Sequence, residues 1–255
     1  MKIITSKENP TYKNALRLKR KKYRDETGSY LLEGVKPLED ALDMGIKAMT
    51  VFVEEGGQPE RWLEGQHTVM LSRPLFRALS DTEAPQGIIA AVEMRNYDID
   101  GFRKLVGGRN VLIMDRLQDP GNIGTIIRTA EAAGYGGIVM MAGSGDVYAP
   151  KVVRAAAGSL FRVPVIKAGK AGDVIRMVRE MGKRLAVTCP EGGINCFEAD
   201  IVSDTALVIG NEGNGVSEDF IDAADVKIRI PMEGSIESLN AAVAAGILMY
   251  QSRKR

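Results

Sequence analysis

Three short stretches of this 255-residue chain gather the side chains that could do chemistry, and each lies at the end of an apolar run. In the first, DPGNIGTIIRTAEAAG (119–134), Pro120 and Gly121 turn the chain and Asn122 is placed to cap a helix carrying Arg128 on its second turn. In the second, VIGNEGNGVS (208–217), the glycines let main chain approach a ligand closely while Glu212 brings a carboxylate to the same place. In the third, IPMEGSIESLNAAVA (230–244), Ser235, Ser238 and Asn240 crowd the start of the final helix. Singly, these segments read equally well as a capped turn, a glycine-rich hairpin and a capped helix. Together they are three polar, glycine-rich strand ends, the place where open α/β sheets bind ligands.

Other chemistries lack their residues. No G-x-x-x-x-G-K-[ST] loop occurs, Gly143-Ser144-Gly145 lacks the third glycine of a dinucleotide fingerprint, and the glycines of 210–215 have the wrong spacing for one. A nucleotide-cofactor oxidoreductase is therefore disfavoured. His67 is the only histidine and cannot build a metal site by itself, and Cys189 and Cys196 stand seven apart, neither a redox pair nor a zinc pair. The expectation is no metal, no disulfide framework and a reducing compartment.

The elements that must position these loops follow from the apolar pattern. Strands are expected over 111–114, 138–141, 163–166, 184–188, 206–209 and 226–230, short and nearly continuous apolar runs suited to a parallel sheet covered on both faces. Helical stretches separate them at 124–133, 172–181 and 239–251. Upstream, strands at 30–32, 49–53, 68–71 and 88–92 with a helix at 35–44 describe a smaller α/β unit. The expected organisation is an N-terminal domain over 1–95, a linker with a short helix over 96–109, and a second domain over 110–255. A hydrophobic fraction of 45% with 26% charged residues fits an ordinary α/β protein. No apolar run follows the opening MKIITSKENP, and 241–250 is too short to span a membrane, so the reading is cytoplasmic with no membrane.

The net charge of +1 conceals a local excess. Through Glu26 there are nine basic and three acidic residues, 9 − 3 = +6, in a segment that Asn9 could cap and Pro10 could open as a basic helix. This is either a solvated face or a surface for a polyanion such as RNA, with Lys13, Arg17, Arg20, Lys21 and Lys22 as the contacts.

The three loops resemble, in order, the motifs of the SpoU/TrmH family in the SPOUT methyltransferase superfamily: an N-x-x-x-x-x-R helix (122–128), a G-N-E-G-x-G loop (210–215) and an I-P-M…S-x-x-S-L-N-x-x-V segment (230–243). YLLEGVKPLEDAL (30–42) is similar to the family's ribosomal-protein-like substrate-binding domain. The resemblance implies a parallel sheet with a deep trefoil knot, against the general rarity of threaded chains, and a homodimer. It implies transfer of a methyl group from S-adenosylmethionine to a ribose 2′-hydroxyl of RNA, ribosomal RNA being favoured over transfer RNA. Arg128, Asn122, Glu212, Ser238 and Asn240 are then the catalytic positions, and Thr188, Gly210, Asn211, Gly213, Ile230, Met232 and Leu239 the cofactor contacts. Arg128 would serve either as a base or as the orienter of a substrate phosphate, because a guanidinium holds its proton tightly. A non-catalytic RNA-binding protein of the same fold would be favoured by loss of Arg128, Glu212 or Asn240, and none is lost.

Overall fold

A computed structural model describes residues 3–58, 61–189, 192–236 and 238–252. The chain divides into two compact units, the first Met1–Arg95 with Tyr148–Phe161, the second Asn96–Val147 with Arg162–Arg255.

In the first unit β1 (Ile3–Ile4) leads to helices α1 (Pro10–Arg17) and α2 (Lys21–Thr27), then β2 (Ser29–Glu33), α3 (Val35–Asp43), β3 (Ala48–Glu54), β4 (Thr68–Leu71), α4 (Arg73–Leu79) and β5 (Ile88–Glu93). The sheet order is β1-β4-β3-β5-β2, parallel across β1, β4 and β3 and antiparallel across β3, β5 and β2. Tyr12, Ala15 and Leu18 of the α1 region pack with Leu75 and Phe76 of α4 against Leu31, Phe52 and Ile89.

The expected single basic helix is two helices. Asn9 caps α1, accepting from the main-chain N–H groups of Thr11 and Tyr12, and Pro10 opens it as expected. The chain then turns at Leu18–Arg20, and Arg24 on α2, only 3% exposed, donates to the carbonyl of Leu18 at 2.6 Å. A buried guanidinium thus closes the carbonyl end of α1.

The second unit holds α5 (Ile99–Val106), β6 (Val111–Met114), α6 (Pro120–Ala132) and β7 (Gly137–Met141). Helix α7 (Pro150–Ala156) belongs to the first unit, where it packs against β2. The second unit resumes with β8 (Val165–Ala168), α8 (Ala171–Glu180), β9 (Arg184–Thr188), β10 (Ile194–Asn195), β11 (Thr205–Ile209), α9 (Glu218–Asp222), β12 (Val226–Arg229) and α10 (Ala241–Gln251). Its seven strands lie in the order β10-β12-β9-β11-β6-β7-β8, every pair parallel. Strand β8 starts after Pro164, which has no N–H to give a ladder.

Two boundaries differ from the sequence reading. The expected linker, 96–109, belongs to the second unit: α5 is there, and its Phe102 and Val106 are fully buried in the core beside Ile113 and Val139. The approach is close, since a Cβ added at Gly137 would lie 2.5 Å from the Phe102 ring. The segment 148–161, expected within the second domain, completes the first unit, with Tyr148 stacked at a tilt on Tyr30, ring centroids 4.8 Å apart. Among the described residues, no helix is long and apolar enough to cross a membrane.

Candidate functional site

Helix α6 begins one turn-signal earlier than the sequence reading placed it. Asp119 is the N-cap, its carboxylate accepting from the N–H of Asn122 at 2.8 Å, and Pro120 occupies the first helical position. Arg128 therefore falls on the third turn, exposed, and forms no hydrogen bond or ion pair among the described residues. Capping by Asp119 releases the Asn122 amide for longer-range work.

That amide is the middle of a chain linking three loops. Asn122 Nδ2 donates to Glu212 Oε1 at 3.0 Å, and Asn122 Oδ1 accepts from Asn240 Nδ2 at 2.9 Å. Asn240 is also the N-cap of α10, its side-chain Oδ1 accepting from the N–H groups of Ala242 and Val243. Three of the five expected catalytic residues are thus joined directly. Ser238 lines the neighbouring cleft; Arg128 is not among the lining residues and forms no hydrogen bond with Asn122, Glu212 or Asn240 among the described residues.

The glycine loop closes on itself. Asn211 and Gly215 exchange two main-chain hydrogen bonds, at 2.9 and 3.0 Å, and Asn211 Oδ1 accepts from the N–H groups of Gly213 and Asn214. The other end of its amide donates to the carbonyl of Arg116 at 2.8 Å. Arg116 sits at φ +58°, a left-handed conformation that is uncommon for a residue with a side chain and often marks functional sites. Gly210 is obligatory here, since a Cβ would lie 2.3 Å from main-chain atoms of Gly215 and Val216. Below the loop, Asp115, 2% exposed, accepts from the N–H of Ser217 at 2.7 Å and from the Arg116 guanidinium at 3.2 Å. Sequence reasoning missed Asp115, whose only signal was a carboxylate immediately after a wholly apolar strand.

Burial works against the charge on Glu212, but hydrogen bonds from the Asn122 side chain and from main-chain N–H groups at Glu212, Gln118 and Asp119 outweigh it, and the carboxyl lies below its ordinary 4.5. A depressed value means the stabilisation is present above pH 4.5 and fades as acid passes through the lower, folded-state value. Wild type and Glu212→Gln should therefore differ in unfolding temperature near neutrality and converge on acidification. A gap that persists unchanged from pH 7 to the acid limit would show that the Glu212 charge does not hold the loop.

The carboxyl ends of β9, β11 and β12 enclose a cleft of 780 Å³. Thr188, Gly210, Asn211, Gly213, Ile230, Met232 and Leu239, the expected cofactor positions, all line it, together with Glu212 and Ser238. Cys189, Ile209, Ala244 and Leu248 also line it and were not anticipated. Its size is that of a small-molecule site, and its lining pairs apolar side chains with exposed glycine main chain. Such a lining fits an adenosine ring system whose polar edges are read by backbone, and it fits S-adenosylmethionine. Among the described residues, no cluster of three or more metal-ligating side chains occurs.

The parallel sheet with the N-x-x-x-x-x-R, G-N-E-G-x-G and S-L-N segments on its carboxyl-edge loops is the arrangement that the resemblance to RNA methylases implied. Residues 109–250 match the SpoU rRNA Methylase family, and residues 9–90 match the MRM3-like substrate binding domain. The chain belongs to the SpoU rRNA methylase family. It is 37% identical over 254 residues, 99% of this chain and 100% of the relative, to the 23S rRNA (guanosine(2553)-2′-O)-methyltransferase RlmP of Bacillus subtilis. It is 33% identical over 241 residues, 90% of this chain and 84% of the relative, to the 23S rRNA (uridine(2479)-2′-O)-methyltransferase of Streptomyces viridochromogenes. The AdoMet-bound rRNA methyltransferase from Sinorhizobium meliloti superposes with a TM-score of 0.88 at 31% identity, covering 99% of this chain and 97% of that one.

Proposed function

We propose that this chain transfers a methyl group from S-adenosylmethionine to a ribose 2′-hydroxyl of ribosomal RNA. The observation that carries the reading is the 780 Å³ cleft with the Asn240–Asn122–Glu212 chain of hydrogen bonds beside it, in a chain of this family. When bound, the cofactor supplies an electrophilic methyl group on a sulfonium. The closed 210–215 loop and the apolar side chains of Ile209, Ile230, Leu239 and Leu248 bind it and keep water from the transfer. Asn122 and Asn240 lock α6, α10 and the glycine loop together, and that rigidity is what alignment of a nucleophile requires, worth up to ~7–11 kcal/mol. Arg128 holds the attacking hydroxyl and a neighbouring phosphate with its planar fork and stabilises the charge developing on oxygen, while the phosphate accepts the proton.

The same reading has the C-terminal segment threaded into a trefoil knot. Support comes from the placement of β11 between β9 and β6 in an all-parallel sheet, and from the packing of α10 on α6, where Gly246 faces Thr129. It also has two copies pairing in the cytoplasm; Val243 and Tyr250 leave an apolar face of α10 about half exposed, at 52% and 51%. Light scattering that finds only a 27.6 kDa species at micromolar concentration would exclude the pair.

Incubation with tritiated S-adenosylmethionine and ribosomal RNA should give label that maps to a phosphodiester resistant to alkali, as a 2′-O-methyl group requires. Tight cofactor binding without any transfer to ribose would overturn the reading. Deleting the N-terminal basic segment is not a usable test of RNA binding, because Tyr12, Ala15 and Leu18 belong to the core of the first unit. Replacing the exposed Arg20, Lys21 and Lys22 together by alanine should instead flatten the log–log salt dependence of RNA binding by about 2 units. An unchanged slope would return these charges to a merely solvated face.

A further inference from the structure

The first unit contains a second cleft, of 460 Å³, between α1, α2 and the β3 side of its sheet. Phe52 and Met49, the latter 49% exposed, give it an apolar wall; Asn14, Thr50 and His67 add polar groups, and the Glu26 carboxylate, paired with Lys22, also lines it. At its lip the Arg17 guanidinium lies over the Tyr23 ring, 5.4 Å from the centroid. The corner between these two residues is rigidly built: Arg24 donates to the carbonyl of Leu18, and Lys19 is held by the Ser80 carbonyl at 2.9 Å and Asp81 at 3.2 Å. Lys13 is engaged with Glu8 and Lys22 with Glu26. Arg20 and Lys21, on the same corner, are exposed and form no hydrogen bond or ion pair among the described residues.

We propose that this cleft takes one unpaired nucleobase of the RNA substrate, stacked on the Tyr23–Arg17 pair, with the flanking phosphates on Arg20 and Lys21. The inference rests on the reading that the chain acts on RNA and adds where, and by what chemistry, a single-stranded segment is gripped. Single-stranded RNA is recognised by splaying bases onto aromatic rings and guanidinium planes. A slot with an apolar wall, a cation-capped aromatic ring and polar edge groups, next to the exposed charges of Arg20 and Lys21, complements a base and its phosphates. An uncharged peptide would leave the charge of Arg20 and Lys21 without a partner.

The test is fluorescence anisotropy with single-stranded RNA of about eight nucleotides, and with the same strand carrying one abasic position moved along it. Tyr23→Ala should weaken binding roughly 5- to 150-fold, the loss of one stacked base, with the salt slope unchanged because no phosphate contact is removed. Met49→Gln changes an exposed residue of the cleft wall without adding charge and should also weaken binding with the salt slope unchanged, its unfolding temperature checked against wild type, whereas Tyr23→Phe should bind as wild type. One abasic position should weaken wild type and have no effect on Tyr23→Ala. Wild type that binds no RNA would sink the RNA reading itself. A folded protein that binds RNA but is indifferent to Tyr23→Ala, Met49→Gln and every abasic position would overturn the base pocket alone.

Discussion

Arg128→Lys is expected to slow single-turnover methylation about 10²–10³-fold, equivalent to ~2.7–4 kcal/mol of transition-state stabilisation. Lysine keeps the charge but replaces a planar fork of five donors by a flexible point charge. If Arg128 only steered RNA by charge, the change should cost under ~1 kcal/mol, the worth of an exposed ionic contact. Affinities for RNA and cofactor should stay within a few-fold, since the contact matters most in the transition state. The structure makes the experiment clean, because Arg128 is exposed on α6 and has no hydrogen-bond or ion-pair partner among the described residues to lose. Thermal stability should therefore be unaltered. Single-turnover transfer from saturating tritiated S-adenosylmethionine measures the rate, and a lysine variant within threefold of wild type would remove Arg128 from the centre of the chemistry.

Gly210→Ala is expected to cost ~1–3 kcal/mol of stability, as overpacking does, and to lower cofactor affinity by up to on the order of 10²-fold. A Cβ there would sit 2.3 Å from the main chain of Gly215 and Val216, and no flexible side-chain end can yield. The Asn211–Gly215 hydrogen bonds must open, and with them moves one wall of the cleft. Gly213 supplies the control: a Cβ at that position meets only Asn211 Oδ1 at 3.6 Å, an ordinary contact, so Gly213→Ala should keep the wild-type unfolding temperature. Calorimetry with S-adenosylmethionine and a thermal melt settle the pair. If Gly210→Ala melts and binds like wild type, the closed loop is not what shapes the cleft.

Local structure was legible where it depends on neighbours in sequence. Strands expected at 111–114 and 184–188 are β6 and β9, and α1 opens at Pro10 under an Asn9 cap, because apolar periodicity and capping act over a few residues. Capping also produced an error of the same kind: Asp119 and Asn122 can both cap, and three residues of sequence do not say which one does. The two-residue strands β1 and β10 were invisible, being too short for periodicity and defined only by pairing with β4 and β12. The buried Arg24 could not be told from its exposed basic neighbours, since its carbonyl partner lies across a turn.

The amino-acid sequence by itself determined the kind of elements, the family, and seven of the residues that line the 780 Å³ cleft. Only the tertiary structure decided the strand order, because parallel strands carry no local mark of which neighbours which. It placed 148–161 in the first unit and 96–109 in the second, with Phe102 and Val106 in its core. It also joined Asn122 to Glu212 and to Asn240 across 90 and 118 residues of chain, without a hydrogen bond to Arg128 among the described residues. The physical reason is one of range: capping, turns and periodicity are settled by a few adjacent residues, whereas hydrogen bonds between distant loops exist only once the sheet has brought its carboxyl ends together.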